Sequence, residues 1–202
     1  DKIEQDIYNG MTFKESMISN KIDPSHWNNL LDIYTEYMED KTEGPFETGF
    51  EDAEMERKYL IVPGVRSTNI HIVDCGTDPR NPKVHKVISG DEIKAKTDLS
   101  APHTVHCLGS EIIISMLGDA KGNAPGGFLH LNKNFEILGR WENDLGGMKF
   151  NYDFWYQPRH NVMVSSEWAA PNTFMPGFDL EEVGHLKYGR EIHFWDFEKK
   201  KV

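Results

Sequence analysis

Cysteine is scarce in this chain: there are two, Cys75 and Cys107, in 202 residues. A disulfide framework needs more, so both read as reduced thiols packed like small apolar groups. Apolar runs are short, and none approaches the roughly 18 residues of a membrane-spanning helix. Basic residues are outnumbered, 22 Lys and Arg against 33 Asp and Glu, giving a net charge of -11. That balance argues against a nucleic-acid backbone as the main partner. The start of the chain, Asp1 to Gly10, is acidic and polar. It has neither the basic beginning nor the apolar middle of a secretory signal. Several catalytic signatures are missing as well. There is no G-x-S-x-G, no H-E-x-x-H and no phosphate loop of the G-x-x-x-x-G-K-[ST] type, which removes the serine hydrolases, zinc proteases and nucleotidases that depend on them.

What charge there is lies unevenly. Residues 1–58 carry 15 acidic and 6 basic side chains, and residues 59–202 carry 18 and 16. Such a shift marks a boundary, and residues 1–56 read as an acidic, helical segment ending in a linker. Asp23-Pro24-Ser25 supplies a cap and a first-turn proline. Trp27, Leu30, Leu31, Tyr34 and Met38 then recur at helical spacing as one apolar stripe, read as packing surface. Lys41 to Glu56, with Gly44-Pro45 and Gly49, is the linker.

From Tyr59 the period changes to two, the repeat of a strand with one buried face. Candidate strands are Lys58–Val62, Asn69–Asp74, Val84–Ile88, Thr104–Leu108, Ile112–Met116, Gly127–Leu131, Glu136–Trp141, Phe154–Tyr156, Val162–Ser166 and Glu191–Phe197. Two strand–turn–strand patterns alternate among them. One begins at Asn69, Gly127 and Glu191, the other at Thr104 and Phe154. Together they predict four-stranded units at a period of roughly 50–65 residues, as in propeller blades. A ring needs about 4 to 8 blades. Residues 57–202 hold two to three, so the expected fold is mainly β, an incomplete β-propeller of four-stranded antiparallel blades behind a short helical segment.

Few residues look able to carry chemistry. His103-Thr104-Val105-His106-Cys107 puts two imidazoles and a thiol, all ligands for copper or zinc, just after Pro102. On a regular strand, positions i and i+3 face opposite sides. The two rings therefore meet only if His103 sits in a loop, which Pro102 favours. The other reading is two ordinary hydrogen-bonded histidines. Glu167, beside Trp168, reads either as a buried acid with a raised pKa or as a carboxylate capping the turn at Asn172. His160 falls in a hairpin turn facing solvent. The Gly-rich stretch Asp119 to Gly127 reads as a connecting turn.

The segments RKYLIVPGVRS, HIVDCGTDPRNPKVHKVI, PHTVHCLG, MLGDAKGNAPGGFLHL, GRWE, YDFWYQPRHNVMVSSEWAAPN, GFD and YGREIHFWDF resemble the selenium-binding protein family, whose members act as methanethiol oxidases. The resemblance runs in order from Arg57 to Val202. It implies a cytoplasmic β-propeller of about seven blades. It also implies a copper-dependent oxidase that turns methanethiol, oxygen and water into formaldehyde, hydrogen sulfide and hydrogen peroxide. The copper is held by histidines, and the matching positions here are His103 and His106. The family's selenium attachment goes with a Cys-x-x-Cys segment that this chain lacks, as it lacks the family's His-His element. An alternative reading is a truncated, non-catalytic propeller that binds a partner. Open strand edges, with unpaired backbone groups, make self-association through them an expectation too.

Overall fold

Alternation of apolar and polar side chains beyond Lys58 builds strands that bury one face each. The computed structural model describes residues 58–202, and every strand pairing in them is antiparallel between neighbours in sequence. The first sheet runs β1 (Tyr59–Pro63), β2 (Ile70–Asp74) and β3 (Lys83–Ile88). The second runs β4 (Leu99–Leu108), β5 (Glu111–Asp119), β6 (Gly127–Asn132) and β7 (Ile137–Arg140). The third is β8 (Phe154–Gln157), β9 (Val162–Ser166) and β10 (Ile192–Asp196). The helical segment read over 1–56, with its stripe from Trp27 to Met38, lies outside the described residues.

The middle sheet is covered on both faces, which explains why β5 reads Ile-Ile-Ile-Ser-Met-Leu rather than alternating. Residues 112–118 are all buried. Ile112, Ile114 and Met116 point to one side and join Ile70, Ile72 and Ile88 of the first sheet. Ile113 and Phe128 point to the other and join Phe154, Tyr156, Met163 and Trp195 of the third. Each such aliphatic side chain contributes about 1.5–3 kcal/mol on burial. The two clusters stack the sheets in chain order.

All ten predicted strands are present, but the units are not uniformly four-stranded. The second sheet has four strands and its neighbours three each among the described residues. Beyond β10 the chain contributes two isolated bridges, from Lys201 to Asp196 and to Asp144. Three helices escaped the periodicity: α1 (Gly90–Thr97) and two single turns, α2 (Pro171–Phe174) and α3 (Leu180–Gly184). The signals of α1 are local: Ser89 caps it by accepting from Glu92 N at 3.2 Å, and Asp91 and Glu92 sit in its first turn.

The second and third sheets are also joined by polar bonds between their first strands. Tyr156 is 7% exposed and its hydroxyl donates to the Cys107 carbonyl at 2.5 Å. Burial, with the nearby Cys107 thiol adding to it, pushes the phenol up to about 12, so it remains a donor at all ordinary pH. Tyr156→Phe orphans that carbonyl and is expected to cost about 1–2 kcal/mol. Thermal unfolding should then show a midpoint about 3–6 °C lower. An unchanged midpoint would mean the bond contributes nothing to holding the sheets together.

Candidate functional site

Strand β4 is the edge strand of its sheet, a position where a proline is tolerated. Pro102 accordingly sits within the strand, opposite Met116, and His103 is not in a loop as its proline neighbour suggested. A different device aligns the histidines. The pairing of β4 with β5 shifts register between Pro102 and Val105, and Ala101 has φ 56°. A bulge of this kind re-aims side chains and breaks the simple two-residue alternation. As a result both imidazoles contact the segment 152–156. The His103 ring lies 4.4 Å from that of Tyr152, and the His106 ring 4.8 Å from Phe154 and 4.6 Å from Trp155.

Both rings are half-buried and prepared to stay neutral. Burial lowers the pKa of each, against the opposing charge of Asp153 and, for His106, its hydrogen bond to Phe154. His106 Nε2 lies 2.9 Å from the Phe154 carbonyl oxygen. A carbonyl only accepts, so Nε2 carries the proton and Nδ1 keeps its lone pair. Metal-ligating histidines commonly hold one nitrogen in this way, by donating to a backbone carbonyl or carboxylate. His103 Nδ1 lies 2.9 Å from Thr104 Oγ1.

Imidazole nitrogens suit copper by type, and the lone pair fixed on His106 fits a ligand role. In number the pair falls short of a whole site. Among the described residues, His103 and His106 belong to no group of three metal-ligating side chains. Cys107, next in sequence, is exposed rather than buried, and among the described residues neither it nor Cys75 forms a disulfide. His160 ends the short 3-10 turn Pro158–His160 and is exposed, as its turn position predicted. The Gly-rich stretch connects β5 to β6, with Asp119 Oδ1 accepting from Lys121 N and Asn123 N at 2.8 Å each.

The one such three-residue group among the described residues is Glu167, Glu191 and His193, whose ligand atoms lie within 4.8 Å of one another. Glu167 is the centre of it, with a side chain 2% exposed. Its Oε1 accepts from Lys149 N at 2.9 Å, Phe150 N at 3.1 Å and His193 Nε2 at 3.1 Å. Its Oε2 accepts from Arg190 N at 3.2 Å and Glu191 N at 3.4 Å. A carboxylate offers about four lone-pair positions, so these donors fill it. Burial pushes this carboxyl upward, but the hydrogen bonds from Phe150, Lys149, His193 and Arg190 outweigh it and hold the pKa below the ordinary value. The expected raised pKa is therefore reversed, and the cap at Asn172 is replaced by a staple between two other loops. Sequence reasoning had no means to join Glu167 to His193. The alternation in Glu191-Ile192-His193-Phe194-Trp195 does place His193 on the buried face with Trp195, and that was the available signal.

Comparison with known proteins places this geometry in context. Residues 46–202 match the family model described as 56kDa selenium binding protein (SBP56). A methanethiol oxidase of Rattus norvegicus is 50% identical over 155 residues, 76% of this chain and 33% of the relative. Selenium-binding protein 2 of Mus musculus is 48% identical over the same shares of both chains. The crystal structure of a hypothetical selenium-binding protein from Sulfolobus tokodaii superposes with a TM-score of 0.71 at 48% identity, covering 74% of this chain and 33% of that one. The chain thus spans about a third of the length of the relatives it matches.

Proposed function

This chain belongs to the selenium-binding protein family, and from that premise we propose that it forms part of a methanethiol oxidase. The three stacked meanders are, in this reading, consecutive blades of a β-propeller. The small substrate is a thiol, and the products are formaldehyde, hydrogen sulfide and hydrogen peroxide, formed with oxygen and water. Copper, when bound, supplies a soft, redox-active centre for a thiol and for oxygen. His103 and His106 are the residues of this chain that would face it.

The observation that carries the reading is the arrangement of His106. Its ring is half-buried, its Nε2–H is held by the Phe154 carbonyl at 2.9 Å, and its other nitrogen is left with a lone pair. The bulge in β4 turns His103 to the same strand segment. Both imidazoles, each with its pKa lowered by burial, lie against the segment 152–156 where β4 meets β8. The aromatic rings of Tyr152, Phe154 and Trp155 limit the access of water to them. The site lies in the cytoplasm on this reading, where thiols stay reduced.

The test is hydrogen sulfide release from methanethiol, with copper-loaded protein set against metal-free protein. Release that requires copper and is lost in His103→Ala/His106→Ala supports an oxidase. Copper-independent background from both proteins would favour the alternative, a propeller piece acting as a binding module.

A further inference from the structure

The segment that touches the two histidines also carries a charge. Tyr152 lies against the His103 ring at 4.4 Å. Phe154 lies against the His106 ring at 4.8 Å, and its carbonyl accepts from His106 Nε2. Asp153 is the residue between them. It is held at both its side chain and its main chain. Oδ1 accepts from Phe154 N at 2.8 Å, a local cap on the start of β8. The Asp153 carbonyl accepts from Ser166 N at 2.9 Å, which ties the residue to β9. An ionised carboxylate offers about four lone-pair positions, so the one local bond does not use up its charge. That charge is felt by both rings: it acts on His103 and on His106 against the burial that lowers the pKa of each.

Resting on the copper reading above, we propose that Asp153 is the counter-charge of the ion that His103 and His106 face, and that it favours copper(II) over copper(I). Two imidazole ligands bring no charge of their own. An ion held by them keeps its full charge in a half-buried place, where an uncompensated charge is costly. A carboxylate a few ångströms away offsets part of that cost. Among the described residues the two histidines belong to no group of three ligating side chains, so Asp153 acts through space rather than as a third ligand. Coulomb attraction grows with the charge of the ion, so the divalent form gains twice as much as the monovalent one. Asp153 is exposed, and water and salt screen it, which keeps the effect modest. The couple is shifted toward its oxidised form, and its potential is lowered.

Asp153→Asn tests this, because it removes the charge and keeps both the shape and the Oδ1 acceptor for Phe154 N. The thermal midpoint of the metal-free protein should therefore be unchanged. Competition against chelators selective for each oxidation state, on the full chain, reads the two copper affinities separately. At low salt the variant should bind copper(II) about 10-fold more weakly and copper(I) about 3-fold more weakly. The leftover ratio of about 3-fold is a rise of about 30 mV in the potential, at about 59 mV per tenfold. Both differences should shrink in about 0.5 M salt. Equal copper(II) affinities in the wild type and Asp153→Asn, with copper still lost in His103→Ala/His106→Ala, would overturn the proposal and leave the oxidase reading standing. Equal losses for the two oxidation states would overturn it as well, since a distorted site weakens both alike. Wild-type protein that takes up no copper at these histidines would overturn the oxidase reading and the proposal together.

Discussion

Trp195→Ala should destabilise the fold by about 3–5 kcal/mol, the range for removing a large buried aromatic. Trp195 is 2% exposed and lies in one inward row with Tyr156 and Met163. Its ring sits 5.3 Å from that of Phe128 and 6.0 Å from that of Trp141, edge to face in both cases. It is therefore the point where the second and third sheets meet. The indole Nε1 also donates to Ser165 Oγ at 2.9 Å, and Ser165 is 1% exposed. The alanine leaves both a cavity and an unpartnered hydroxyl. Against a usual total of about 5–15 kcal/mol, that is a large share. Trp195→Phe refills most of the volume and loses the hydrogen bond, so about 1–2 kcal/mol is expected there. Urea unfolding should show the two midpoints in that order, with similar slopes. An alanine variant within about 1 kcal/mol of wild type would mean the two sheets are not packed as described.

Glu167→Ala should cost about 3–4 kcal/mol, because its backbone and ring donors lose one shared acceptor. The loops at Lys149–Phe150 and Arg190–Glu191 both donate backbone N–H groups to this carboxylate, beside the Glu167 N to Glu191 O bond and the Lys149–Glu191 ion pair. Glu167→Gln keeps the shape and one acceptor oxygen, and should lose about half as much. The charge adds a pH signature. The carboxyl is held below its ordinary value of 4.5 in the folded protein, so its contribution is complete above that pH. As pH falls below 4.5, the unfolded chain takes up the proton first, and the contribution drains away until the folded carboxyl is protonated too. Wild-type stability should thus fall more steeply than that of Glu167→Gln below pH 4.5 and run parallel to it above. Parallel curves throughout would remove the carboxylate from its role as staple.

Much of this fold was legible in the residues. Period-two alternation located each strand of the described region, while the burial of β5 on both faces came from the structure. What stayed hidden depended on tertiary contacts. Pro102 reads locally as a strand breaker, yet an edge position leaves it nothing to break. The bulge beside it has no sequence signature of its own, so the contact of both His103 and His106 with the segment 152–156 emerged only from the fold. Glu167 read as a turn cap at Asn172 or a buried acid because its backbone donors lie 17 to 24 positions away. The α1 helix is the exception: Ser89 and Glu92 spelled a capping box, overshadowed by the strands around it.

The central claim is that the bulge in β4 presents His103 and His106 together as imidazole ligands. Electron paramagnetic resonance of the protein loaded with one equivalent of copper(II) tests it most directly. The account predicts nitrogen hyperfine structure from imidazole, simplified in either single alanine variant and absent from His103→Ala/His106→Ala. A copper signal with oxygen ligands only, or one identical in the wild type and the double variant, would contradict it.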